Sequence, residues 1–299
     1  MHCSLITQVK NTLRDLNARY FNCTMPEYDN TSEKMRALAA ACFILESTCQ
    51  LFLCSYGEKK PHGCTVLFSY NSKFYCLSNS HVLDRIKYPE VFFLHNRIEP
   101  ILLEGAIVFS ERNLTSRNDT YDIAVMEVTP QVKVKLLENY TFLEIGKMEH
   151  SVSMLENNLT MIAAYPEEKT NFNIVTNTLD FNPLVLRTVP FVKDCSNLGF
   201  PKSFHHVVKY PKKSFIETST KKTIIAPFPH GVSGSGLWLL TDESEFNYKP
   251  ILIGILSEYR HNRSLIFSTK IDLYLSIIKQ LFDSTLPYSG IDVDLDVVK

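Results

Sequence analysis

The chain has 299 residues, 45% of them apolar and 21% charged, with a formal net charge of −1. That composition supports one or two sizeable cores and excludes general disorder. No dense Lys/Arg run with interleaved aromatics occurs, so neither nucleic acid nor an anionic membrane is an expected partner.

The opening Met1-His2-Cys3-Ser4-Leu5-Ile6 lacks the pattern of a secretory signal, and no apolar run reaches bilayer-spanning length. A soluble, cytoplasmic protein is expected. The eight cysteines, at 3, 23, 42, 49, 54, 64, 76 and 195, form no C-x-x-C pair. Reduced thiols in apolar surroundings are expected, with no metal and no cofactor.

Three textures follow one another along the chain. From Ile6 to Glu46 the pattern is helical: Ile6, Val9, Leu13 and Leu16 recur at helical spacing, and a second segment from Ser32 runs through Leu38, Ala41 and Leu45. After Glu46 short strand-like runs appear at 50–53, 65–68, 74–77, 91–94 and 123–126, broken by Gly, Asn, Ser and Pro. The stretch from Pro130 to Glu156 reads as a helix and a connection. Strands resume at 159–162, 184–186, 223–225, 237–240 and 251–256, and Ile271–Phe282 reads as a helix with Leu273, Ile277, Ile278 and Leu281 on one face. Many short strands in two blocks point to an all-β chain of two barrels or sandwiches.

Three positions carry candidate chemistry. Gly231-Val232-Ser233-Gly234-Ser235-Gly236 holds three of the ten glycines. Such a stretch turns sharply, brings backbone N–H groups to a bound carbonyl and presents one hydroxyl; alone, it also reads as a plain Gly/Ser turn. His81 follows the run 74–77, and Asp122 precedes the run 123–126. Alone, these read as a loop histidine and a turn aspartate. Their order carries more: Asp122 lies 41 residues after His81, and Ser233 lies 111 residues after Asp122. A serine hydroxyl needs an imidazole to take its proton and a carboxylate to hold that imidazole in one tautomer. An α/β-hydrolase would want Gly-x-Ser-x-Gly with acid and histidine after the serine. Here residue 235 is Ser, and only His261 follows.

In these segments the chain resembles trypsin-like, chymotrypsin-fold serine peptidases of the kind found inside bacteria. Ser80-His81 is similar to the family's Ala-Ala-His, Asp122-Ile123-Ala124-Val125 to its Asp-Ile-Ala-Leu, and Gly231–Gly236 to its Gly-Asp-Ser-Gly-Gly-Pro. Ile253-Gly254-Ile255-Leu256-Ser257 resembles the strand that borders the specificity pocket, and Phe267-Ser268-Thr269-Lys270-Ile271 the lead into the closing helix. The resemblance implies two antiparallel six-stranded β-barrels, with an N-terminal helical extension at 1–46, a barrel with His81 and Asp122 at 47–150, a barrel with Ser233 and the closing helix at 151–285, and an acidic tail at 286–299.

The implied activity is peptide-bond hydrolysis by a narrow-specificity intracellular endopeptidase acting on a protein or peptide; the alternative is a silent peptide-binding module. His81 would be general base and acid, Asp122 its support, and Ser233 the nucleophile. The N–H groups of Gly231 and Ser233 would form the oxyanion hole. Ser235 is the rival nucleophile, but lacks the glycine two positions before it. His230, Ser257, Glu258 and Tyr259 would touch substrate, with the specificity pocket's base in 225–230, where no acid occurs to attract Arg or Lys. An uncharged side chain is favoured there.

Two departures from the family pattern stand out. Val232 stands where zymogen-activated members carry Asp, so their activation switch is not expected here. Val82, rather than a cysteine, follows His81. Cys64 and Cys76 sit on an expected hairpin, leaving their pairing open. The extension 1–46 is expected to pack on a barrel and, more sharply, to regulate access or dock a partner protein.

Overall fold

A computed structural model describes residues 31–55, 58–83, 91–94, 100–110, 121–148, 152–173, 178–181, 183–210, 215–216, 223–224, 228–244, 247–288 and 297–298. The helix expected from Ile6 to Leu16 lies outside them. Helix α1 (Thr31–Glu46) leads into β1 (Thr48–Ser55), β2 (Glu58–Tyr70) and β3 (Lys73–Ser78). One helical turn follows, α2 (Ser80–Leu83), then β4 (Val91–Leu94), β5 (Pro100–Leu102), β6 (Gly105–Ser110), β7 (Ala124–Val128) and helix α3 (Pro130–Leu137).

The second block holds β8 (Thr160–Ala164), β9 (Thr170–Asn173), β10 (Thr178–Phe181), β11 (Leu184–Pro190), β12 (His205–Lys209), β13 (Phe215–Ile216), β14 (Thr223–Ile224), β15 (Gly236–Ser244), β16 (Asn247–Arg260) and β17 (Leu265–Lys270). Helix α4 (Ile271–Ile277) and the short β18 (Val297–Val298) complete the order. No helix among the described residues is long and apolar enough to cross a membrane.

The two blocks differ in closure. In the second, β11-β12-β17-β16-β15-β8 form a closed six-stranded barrel. In the first, β18-β6-β7-β3-β2-β1-β4-β5 form an eight-stranded sheet whose outer strands do not pair with each other among the described residues, so one of the two expected six-stranded barrels is seen closed. The edges explain it. Strand β5 has three residues and begins with a proline that cannot donate to a ladder. The outer side of β6 is taken at its end by β18, where Val297 pairs with Ser110 and Val298 with Phe109. The tail thus supplies a strand.

Three cores result. Leu51, Leu67, Cys76, Ala124 and Met126 fill one beneath the open sheet. Ile162, Leu186, Leu237, Ile253 and Ile266 fill the barrel interior. The third joins the blocks: Val66, Phe68 and Leu77 meet Trp238, Leu252 and Ile255, together with residues of α1 and α4. Helix α1 enters it through Ala37, Ala40, Ala41, Ile44 and Leu45, a spacing that places all five on one face, with alanines allowing close approach. Its polar side is held as well. Tyr248 donates its hydroxyl to Glu33 at 2.5 Å, Arg187 lies 3.6 Å from the same carboxylate, and Arg36 pairs with Asp242.

Helix α4 is buried on every side from Ile271 to Ile278. Beyond it, residues 278–282 form a wider π-type turn in which the Asp283 N–H reaches the Ile278 carbonyl at 2.8 Å. That change of phase turns Leu281 outward, against the expectation that it shares the buried face.

Candidate active site

His81 and Asp122 are brought together by strand register. Antiparallel pairing of β3 with β7 sets Ser78 opposite Ala124, so the turn after β3 lies beside the entrance to β7. Asn79 caps that turn: its carbonyl accepts the N–H groups of Val82 and Leu83, both at 3.1 Å, and its side chain donates to the Asp122 carbonyl at 2.9 Å. The His81 backbone N–H donates to Asp122 Oδ1 at 3.0 Å, while His81 Nδ1 meets Asp122 Oδ2 in a short hydrogen bond. A carboxylate on Nδ1 holds the proton there and leaves Nε2 as the basic nitrogen. Both side chains remain partly exposed, at 30% and 22%.

Ser233 is positioned by backbone rather than by side chains. Gly231 and Gly234 adopt φ of +82° and +86°, a left-handed conformation that glycine reaches without steric penalty. The Ser233 carbonyl accepts the Cys64 N–H at 2.8 Å, and the Gly234 N–H donates to the Leu256 carbonyl at 2.8 Å. The His230 carbonyl accepts the Glu167 N–H at 2.8 Å, which turns the Gly231 N–H of the same trans peptide the opposite way. Neither the Gly231 nor the Ser233 N–H has a hydrogen-bond partner among the described residues.

The Ser233 hydroxyl donates to the Ser257 carbonyl at 3.4 Å and makes no hydrogen bond to His81. Ser235, the rival, is buried and donates its hydroxyl to the Val232 carbonyl at 2.6 Å. Val232 itself lies in the barrel core.

A seam of residues not singled out from the sequence links the two halves. Gly63 leaves no room for a side chain: a Cβ there would stand 2.8 Å from Val82 and 3.1 Å from the Ser233 carbonyl. Next to it, the Cys64 carbonyl accepts the Ser78 hydroxyl at 2.7 Å, and the Ser78 carbonyl accepts the Tyr274 hydroxyl at 3.0 Å. Burial, with the Asp122 charge adding to it, raises Tyr274 well above the usual phenol range, so it stays a donor. Cys64 and Cys76 are both free thiols; Cys76 faces Leu67 across the hairpin, so the two do not pair. The isolated glycine in β2 was a readable sign of close backbone approach.

A cleft of about 350 Å³ is lined by His81, Asp122, Phe200, His205, Ser257, Glu258 and Thr269. Ser257 occupies a bulge in β16 between Leu256 and Glu258, the local irregularity that turns it toward the cleft. Of the expected substrate contacts, Ser257 and Glu258 are there; His230 and Tyr259 instead pack against Phe228, with ring centroids 4.4 and 5.7 Å away. Residues 225–227 of the expected pocket base lie outside the described residues.

No family model matches the sequence, and no curated protein matches it. Among solved structures the chain is similar to the scabies mite inactivated protease paralogue S-I1, at 10% identity over 81% of this chain and 96% of that one, with a TM-score of 0.50. It is also similar to the tobacco vein mottling virus protease, at 13% identity over 77% and 79%, with a TM-score of 0.41. The likeness to the mite paralogue decides the architecture. The chain has a chymotrypsin-type fold. Within that fold its closed barrel carries Ser233, its open sheet carries His81 and Asp122, and α1 is built into the shared core.

Proposed function

We propose that the chain is a serine endopeptidase. One observation carries the reading: the Asp122-bound His81 lies across the Gly63–Cys64 seam from a Ser233 turn built on left-handed glycines, and His81 Nε2 and two N–H groups of that turn have no partner among the described residues. In the proposed reaction the Ser233 hydroxyl leaves the Ser257 carbonyl and attacks a peptide carbonyl, its proton passing to His81 Nε2. Asp122 stabilises the imidazolium. The oxyanion is held by the N–H groups of Gly231 and Ser233, each worth on the order of 10²–10³ in rate in enzymes of this mechanism. His81 then protonates the departing amine, and water, deprotonated by His81, releases the acyl group from Ser233.

A hydroxyl resting away from the base is common before substrate binds. A cytoplasmic setting and narrow specificity belong to the same reading, as does a protein partner docking on residues 1–46. Activation through an acidic residue at 232 does not, since that position is an apolar core residue.

The second reading is a silent peptide-binding module. The Ser233 hydroxyl on the Ser257 carbonyl and the inactivated state of the mite paralogue favour it. A fluorophosphonate probe separates the two. Labelling of the full chain that disappears in Ser233→Ala supports the peptidase, whereas a folded chain that stays unlabelled supports the binding module.

A further inference from the structure

Phe200 and His205 line the cleft of His81 and Asp122, and both also line a smaller cavity of about 40 Å³ beside it. Such a volume holds a pair of water-sized groups, about what the two oxygens of a carboxylate need. Its charge is one-sided. Lys193, Lys202 and Lys270 all line it, and none of the three side chains has an ion pair or hydrogen bond among the described residues.

Backbone geometry fixes the arrangement. Strands β12 and β17 pair with His205 opposite Thr269, and the Lys270 N–H donates to the Phe204 carbonyl at 2.9 Å, tying the start of β12 to the end of β17. Lys202 stands in the turn that closes with the His205 N–H on the Pro201 carbonyl at 3.1 Å.

No acid among the described residues lines the cavity, and the nearby ones have hydrogen-bond partners of their own. Asp194 accepts the Ser196 hydroxyl at 2.8 Å and the Lys202 N–H at 3.3 Å. Glu258 binds Arg260 at 2.6 Å, and Asp272 accepts the Tyr288 hydroxyl at 3.2 Å. Burial lowers Lys270; Asp272 opposes that, and the like charge of Lys202 adds to it, so the two ammonium groups repel. His206 on the same wall is pushed down to about 3 by burial, with Lys270 and His205 adding, and is neutral at ordinary pH. A half-buried cation with a like-charged neighbour is relieved by an incoming anion.

We infer that this cavity is a specificity pocket for an acidic side chain of the peptide held in the adjoining cleft, with Lys202 and Lys270 receiving its carboxylate and Lys193 at its rim. The inference rests on the cleft holding peptide, as the proposed function has it. Selection for Asp or Glu at this pocket is separate from selection at the expected pocket near residues 225–230.

The test uses the full chain and fluorogenic hexapeptides in which each position in turn is fixed as Glu, Gln or Lys. At one position Glu is preferred over Gln by roughly tenfold in kcat/KM. That ratio falls to about one in Lys202→Gln/Lys270→Gln, and partway in Lys202→Gln, whose exposed side chain can be changed without disturbing a core. It also shrinks as salt rises. Taking the Glu/Gln ratio within each variant cancels any loss of folded protein. No position preferring Glu, or a preference that survives the double substitution, overturns the inference. Should the wild-type chain fail to label with fluorophosphonate, the peptidase reading falls. The same peptides, carrying fluorescein and followed by anisotropy, then test the pocket by the same two ratios.

Discussion

The open sheet and the closed barrel hold their halves of the site in different ways. His81 and Asp122 are fixed to each other by side chains, through the two oxygens of one carboxylate and the amide of Asn79. Ser233 is fixed by main chain: left-handed glycines and carbonyl contacts to Cys64 and Leu256 leave its side chain with one long hydrogen bond. A side-chain device is chemically specific and structurally replaceable. A main-chain device is the reverse. Substitution on the sheet side should therefore remove chemistry and keep the fold, while substitution on the barrel side should remove the fold.

The largest effect tests the sheet side. Asp122→Asn keeps the shape but lets the imidazole take the wrong tautomer, and kcat is expected to drop about 10⁴-fold with the thermal midpoint nearly unchanged. Peptide turnover and calorimetry on one preparation check both halves of the statement. An unfolded variant would show that the pair is structural.

Next comes Gly234→Ala on the barrel side. A Cβ would meet the Cys64 carbonyl oxygen at 1.9 Å and Ser78 Oγ at 2.3 Å, on a backbone at φ +86°. The nearer obstacle is backbone and the Ser78 hydroxyl is held by its hydrogen bond to the Cys64 carbonyl, so overpacking and strain together should cost about 3 kcal/mol or more. A urea midpoint equal to that of the wild type would sink the contrast between the halves.

What the sequence made legible follows the same division. Strand blocks, α1, and His81, Asp122 and Ser233 as candidates all show in residue type and order, because alternation and turn residues are local signals. Closure is not local. Whether β5 or β18 lies beside β6 depends on a segment more than 180 residues away (110 to 297). Strand β12 was missed because its run His205-His206-Val207-Val208-Lys209 puts two polar side chains where they are nevertheless buried. Tyr274 looks in sequence like one more residue of an apolar helix, since only the fold brings its hydroxyl to Ser78. Leu281 was misplaced because a switch from α to π spacing has no sequence signature.

The seam between the halves gives the smaller effects. Tyr274→Phe leaves the buried Ser78 carbonyl without its donor while preserving the ring's packing, and should destabilise by about 2 kcal/mol. Chemical denaturation measures it, and turnover should fall less than in Asp122→Asn, because the tyrosine acts only through the strand that carries His81.

The smallest effect concerns protons at the same seam. Cys64 is wholly buried against the Gly231 carbonyl, 3.3 Å away, and burial pushes its thiol from 9.0 up to about 12. Its folded value lies above its unfolded one, so the folded state keeps the proton longer. The associated stability is complete below about pH 9 and is lost as pH rises toward about 12. By pH 10 one such thiol accounts for a loss of about 1 kcal/mol. Denaturation midpoints from pH 8 to 10 should therefore fall less steeply in Cys64→Ala than in the wild type, whatever offset the lost sulfur volume adds. Parallel slopes would mean that the thiol beside the Ser233 turn is reached by water, and that the seam is looser than its backbone contacts imply.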